Sequence, residues 1–169
     1  APVVYRIHEP PNREKLLALR DYLATMGRKL ALGQVVTPGL FNRMLKDVAD
    51  ESEKALIMEA VLRSQTQAYY GPQNSGHFGL SLGSYAHFTS PIRRYPDLVV
   101  HRAIKRRLAK VKTPKSALEE IPVLAEHTSM TERRAEAVGW GVDAWLKCEY
   151  VAGRIGETFD GMIMGELVS

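Results

Sequence analysis

Cysteine is almost absent: Cys148 is alone in 169 residues. That excludes an intramolecular disulfide and fits a reducing, cytoplasmic setting. Nothing in the sequence pairs Cys148 with a base, so it reads as a small packed residue. No apolar run approaches the roughly 20 residues that a membrane span needs, so no membrane partner is expected. The opening APVVYRIHEP lacks both the basic and the apolar parts of a signal peptide, and it lacks an initiator Met. This suggests a piece of a longer chain. Carboxylates never cluster as a divalent metal would require. Asp47, Asp50, Glu51 and Glu53 are close together, but a helix start explains them. His77, His87 and His101 match no zinc spacing, and no cysteine pair stands beside them. No metal ligand is therefore assigned to this chain. Internal repeats and low-complexity segments are absent as well.

What is present is an ordinary globular composition, 45% hydrophobic, with a formal net charge of +4 and an isoelectric point near 9.2. The excess is concentrated. Arg93, Arg94, Arg102, Lys105, Arg106, Arg107, Lys110 and Lys112 face only Asp97 in that interval. A solvated helix face would look like this, and so would a nucleic-acid contact.

Hydrophobic spacing predicts helices on either side of short extended pieces. Val3 to His8 alternates weakly and could be a strand. Asn12 can cap a helix carrying Leu16, Leu19, Leu23, Met26 and Leu30 on one stripe, with Gly27 and Gly33 loosening its end. Thr37-Pro38 is a second start, leading into Leu40, Phe41, Met44 and Leu45. Asp50 with Glu53 resembles a capping box and opens a helix to about Ala68. Tyr69-Tyr70-Gly71-Pro72 and Asn74-Ser75-Gly76 read as turns. Thr113-Pro114 is a further start. Pro122 is expected to interrupt it, with a long helix from about Val123 to Tyr150 that places Met130, Ala137, Val138 and Trp145 near one face.

The most unusual stretch is Gly76 to Arg102, GHFGLSLGSYAHFTSPIRRYPDLVVHR. Three histidines, two aromatic-histidine alternations and an arginine pair are hard to place in a plain core strand. Ser90 can cap a helix and Pro91 suits its first position. That places Arg93 and Arg94 in the first turn, against the dipole unless an anion docks there too. Thr89 to Arg93 thus reads as a phosphate-binding corner. The helix runs from about Pro91 to Lys110. Pro96 requires either a distorted turn or a regular helix that begins there.

HFGL followed by YAHFTSPIRRYPDLVVHR closely resembles the signature of the ribonuclease II / ribonuclease R family, processive 3′-to-5′ exoribonucleases that use a divalent metal. Tyr5-Arg6-Ile7-His8-Glu9 and Thr131-Glu132-Arg133-Arg134 extend the likeness, nearest the ribonuclease R branch. The resemblance implies a mostly helical α+β fold with short strands. Residues 1–152 would be the C-terminal part of an RNB-type catalytic domain. Residues 153–169 would open an incomplete S1-type RNA-binding barrel. It also implies that Arg93 contacts the scissile phosphate, where a guanidinium binds two oxygens at once. The Mg²⁺ ligands would be aspartates upstream, outside this chain, so the chain alone would be inactive. Tyr85, His87, Thr89, Ser90 and Arg94 would line the RNA path. The partners would be single-stranded RNA and the missing N-terminal part of the domain. Trp140-Gly141 stands where family members usually carry an Arg-Asp pair. Two other readings remain: a non-catalytic helical RNA-binding module, and a DNA-binding domain using the basic helix.

Overall fold

Asn12 opens the first helix, α1 (Arg13–Thr25), and its Oδ1 accepts the Lys15 N–H at 2.8 Å. A glycine ends it. Gly27 takes φ +70°, its N–H reaches the Ala24 carbonyl at 3.0 Å, and the Arg28 N–H reaches Leu23 at 2.9 Å. Those two bonds make a Schellman cap. Leu30 therefore lies beyond the helix, although it is still buried. The computed structural model describes residues 3–32 and 35–161, so Gly33 lies outside the described residues.

Helix α2 (Pro38–Lys46) starts at the predicted Thr37-Pro38 pair, but the Thr37 side chain makes no capping bond. Helix α3 (Glu51–Ser64) is capped by Asp50, whose Oδ1 accepts the Glu53 N–H at 2.7 Å. Only half of the capping box forms. The Glu53 carboxylate instead takes Arg28 Nε at 2.8 Å and Nη2 at 3.0 Å. That hydrogen bond holds the Glu53 carboxyl below its usual range and raises the Arg28 guanidinium. It ties the segment leaving α1 to the start of α3. Leu19, Leu23, Leu30, Phe41, Val48, Ile57 and Val61 form one buried cluster among these helices. Each such side chain contributes about 1.5–3 kcal/mol relative to exposure.

Helix α3 stops at Ser64, short of the expected Ala68, because Gln65 turns extended. The residues read as a turn then form a strand. β2 (Tyr69–Gly71) pairs antiparallel with β1 (Tyr5–Ile7), with Tyr5 opposite Gly71 and Ile7 opposite Tyr69. Tyrosine favours such pleated surface. Gly71 lies close against its partner strand: a Cβ there would lie 2.5 Å from Ile7 Cδ1, and that side-chain end would have to turn aside. A short 3₁₀ turn (Phe78–Leu80) and helix α4 (Tyr95–Leu108) follow.

Helix α5 (Lys115–Ala152) runs through Pro122 without a break. Proline there costs one helical hydrogen bond. Burial offsets it: Ile121 and Ala125, on either side, pack with Val4 and Tyr70 in a second cluster. Among the described residues the fold is mostly helical with one two-stranded sheet, as expected. Among the described residues no helix is long and apolar enough to cross a membrane.

The chain forms two compact units, Ala1–Ser129 and Met130–Ser169. In the second, α5 continues with Val138, Trp140, Trp145 and Tyr150 exposed. Cys148 is exposed too, not packed as the sequence suggested, because this part of α5 buries nothing. Gly139 and Gly141 have open space where a Cβ would be. After Ala152 the chain turns at residues 153–156 and shows no strand to residue 161. The rest of the expected S1-type segment lies outside the described residues.

Candidate nucleic-acid interface

The loop that follows β2 is shaped by glycines. Gly76 takes φ +78°, its N–H donates to Asn74 Oδ1, and a Cβ there would lie 2.9 Å from the Leu82 carbonyl oxygen. Gly79, the glycine of HFGL, donates its N–H to His8 Nδ1 at 2.9 Å, and a Cβ would meet that same atom at 2.9 Å. Two backbone bonds fasten this loop to β1: His8 N–H to the Gly76 carbonyl, and Phe78 N–H to the His8 carbonyl.

On this frame the rings meet in a row, tilted at its first contact and edge to face at the others. His8 lies 5.0 Å from His77, His77 lies 5.1 Å from Tyr85, and Tyr85 lies 5.7 Å from His87. His87 ends the row against Tyr70, with Nδ1 2.9 Å from its hydroxyl. The Arg6 guanidinium covers the Tyr70 ring at 4.7 Å. Tyr70 is fixed in turn by its N–H, which donates to Ser129 Oγ on α5. Burial, aided by the charges of His8 and Arg6, pushes the His77 imidazole below its usual value of 6.5. Its Nδ1 is buried without a hydrogen-bond partner among the described residues. An open cleft of about 360 Å³ borders this end of the row, with His8, Pro38, His77, Phe78 and Leu82 among its walls.

Beyond His87 the chain reaches the arginine pair. His101 stacks flat on Phe88, with centroids 4.3 Å apart, and its Nε2 lies 2.8 Å from the Phe88 carbonyl. A carbonyl only accepts, so this nitrogen carries the proton. Pro91 to Arg93 form a single turn, not the start of a helix. Ser90's carbonyl accepts the N–H of Arg93 at 3.3 Å and of Arg94 at 2.9 Å. Helix α4 begins at Tyr95 with Pro96 in its first turn, the one place where a missing N–H is harmless. Arg93 and Arg94 therefore precede the helix instead of lying in its first turn.

Asp97 alters the expected corner. It is fully buried, and its Oδ1 accepts the Ser90 N–H at 2.8 Å and Arg94 Nη2 at 2.9 Å. The amide expected to meet an external anion meets the protein's own carboxylate. Asp97 Oδ2 and Arg94 Nε are buried without hydrogen-bond partners among the described residues. Arg93 is exposed, and its guanidinium has no hydrogen bond or ion pair among the described residues. Thr89 is exposed as well. Along α4, Arg102, Lys105 and Arg107 are exposed, as are Lys110 and Lys112 beyond it.

Residues 1–110 match the family described as RNB domain. The chain belongs to the RNB domain family. Ribonuclease R of Vibrio cholerae is 43% identical over 171 residues, covering 95% of this chain and 21% of its own length. Thus the chain spans about a fifth of such relatives. Mycoplasma genitalium RNase R in complex with double-stranded RNA matches with a TM-score of 0.88 at 26% identity, covering 97% of this chain and 30% of that one. The same protein with ribose methylated single-stranded RNA matches with a TM-score of 0.85, covering 94% of this chain and 26% of that one.

Within this RNB segment the sequence-predicted residues fall into two sets. Tyr85 and His87 share the ring row, while Ser90 and Arg94 meet on Asp97, with Arg93 between them in the chain. Four residues that complete these sets were not foreseen in those roles: Tyr70, His8, His77 and Asp97. Asp97 carried a signal, an acid three positions after Arg94 just past a proline. Tyr70 and His8 carried none locally, because their partners lie far along the chain. Among the described residues no three His, Cys, Asp or Glu side chains group to hold a metal ion.

Proposed function

We propose that this chain is part of a 3′-to-5′ exoribonuclease of the ribonuclease R type, and that Arg93 is its phosphate clamp. The observation that carries the reading is the exposed guanidinium of Arg93, with no partner among the described residues, on a turn closed by its neighbours. A guanidinium stays charged and grips phosphate oxygens in pairs. Placed on a reacting phosphate, it offsets charge that builds up during cleavage. Tyr85 and His87 offer ring faces and edges for unpaired bases. Thr89, Ser90 and Arg94 flank the path as the local frame of the clamp. The substrate is single-stranded RNA, cut to nucleoside 5′-monophosphates in the cytoplasm. Mg²⁺ belongs to residues outside this chain, supplied by the N-terminal part of the catalytic domain, and the chain alone is inactive. That RNase R of Mycoplasma genitalium is known in complex with double-stranded RNA and with ribose methylated single-stranded RNA supports the partner class.

The exposed cations of α4 favour a second reading, a helical RNA-binding module without chemistry. One experiment separates the two. This chain replaces the matching segment of the Vibrio cholerae relative, and turnover and RNA affinity are measured with and without Arg93→Ala. The enzyme reading expects turnover to fall by about 10³-fold or more, as for arginines in comparable phosphoryl-transfer roles, with near-normal affinity. Loss of affinity with unchanged turnover per bound RNA would favour the module.

A further inference from the structure

We infer that Asp97 is the positioning residue for Arg93: its buried carboxylate fixes the turn on which that arginine is presented. This rests on the reading of Arg93 as the phosphate contact. The argument is one of convergence. A single oxygen, Asp97 Oδ1, receives the Ser90 N–H at 2.8 Å and Arg94 Nη2 at 2.9 Å. The Ser90 carbonyl receives the N–H groups of Arg93 and Arg94. Residues 90 to 94 are thus closed on themselves, and both ends are fastened to one atom. That atom is itself buried on a fixed element. Asp97 lies in the first turn of α4, its N–H is bonded to the Arg94 carbonyl at 3.2 Å, and none of its surface is exposed.

The adjacent arginines are therefore not equivalent. Arg94 neutralises a buried acid, and its side chain is 23% exposed. Arg93 is left outside, with its backbone held and its charge available. The carboxylate is needed for its charge as well as its shape. An amide at position 97 could still accept from Ser90, but it would no longer hold a guanidinium by charge. Asp97 has no exposed surface with which to touch RNA, so it acts only through the turn.

The test uses the same Vibrio cholerae chimera. Asp97→Asn should lower kcat roughly 10- to 100-fold, the cost of a catalytic group misplaced by about 1 Å, and leave RNA affinity within about twofold. In an Arg93→Ala background the same change should cost nothing further, because its effect passes through Arg93. Additive losses, or a lower yield of folded protein with normal kcat, would overturn the inference. If Arg93→Ala abolishes turnover and Asp97→Asn does not alter it, the role of Asp97 fails while that of Arg93 stands. A second measurement needs no variant and no activity. In this chain the Ser90 amide should exchange with solvent at least roughly 100-fold more slowly than the amides of Gly83 and Ser84. Exchange at their rate would refute the clamp, whatever the fate of the Arg93 reading.

Discussion

Ile57 and Asp97 are both fully buried, and they hold their surroundings in opposite ways. Ile57 sits among α1, α2 and α3 in a cluster of aliphatic side chains and Phe41, where contact is non-directional and many neighbours share the load. Asp97 holds the 90–94 turn through one oxygen and two donors, where direction is everything. The scaffold gains its stability from area. The stretch from Gly76 to Arg102 gains its shape from particular atoms: a ring row, two close-approach glycines and one carboxylate. Under the proposed RNA reading this second kind of construction is required, because rings and charges must remain partly exposed and yet stay in place.

The contrast predicts unlike responses to damage. The largest stability effect belongs to the scaffold. Ile57→Ala should cost about 2–5 kcal/mol in urea unfolding, for lost burial plus the cavity left behind. A loss below about 1 kcal/mol would mean that this cluster is not the chief source of stability. Helix caps come next, and the structure separates two that look alike in sequence. Asn12→Ala should cost about 1 kcal/mol because its side chain makes the capping bond. Thr37→Ala should cost no more than a few tenths, because Thr37 makes none. Equal losses on thermal melting would contradict that difference.

The smallest effect concerns the ring row. His77 is held below 6.5, so the folded chain resists a proton that the unfolded chain accepts. Its neighbours His8, Arg6 and Tyr85 offer no acid to receive the charge. The stability involved is fully present above pH 6.5 and is lost as pH falls from there towards the lower folded value. His77→Phe should flatten this part of the stability–pH curve. An unchanged slope would place the titrating group elsewhere.

Much of the scaffold was legible because its signals are local. Asn12, Thr37-Pro38 and Asp50 each mark a helix start that the structure has, and the stripe of Leu16, Leu19 and Leu23 turns inward. What failed locally was decided at long range. Gly71-Pro72 reads as a turn until β1 supplies a partner strand. Pro122 reads as a break until Ile121 and Ala125 bury beside it. In the stretch from Gly76 to Arg102, Pro96 correctly marked where a regular helix could begin. Which of the two arginines stays available was not legible. It depends on Asp97 reaching back one helical turn, and neighbouring residue types alone do not say which guanidinium it will take.

The short sheet has a consequence for the order in which the chain assembles. β1 and β2 are neighbours in space, yet α1, α2 and α3 all lie between them in the chain. Closing so long a loop is entropically costly, and helices that form first shorten the distance to be closed. The pairing is therefore a late event, and His8 and Tyr70, the two outer rings of the row, ride on its strands or their ends. The surface of the ring row is ready only once the scaffold has folded, so a newly made chain acquires its body before this surface.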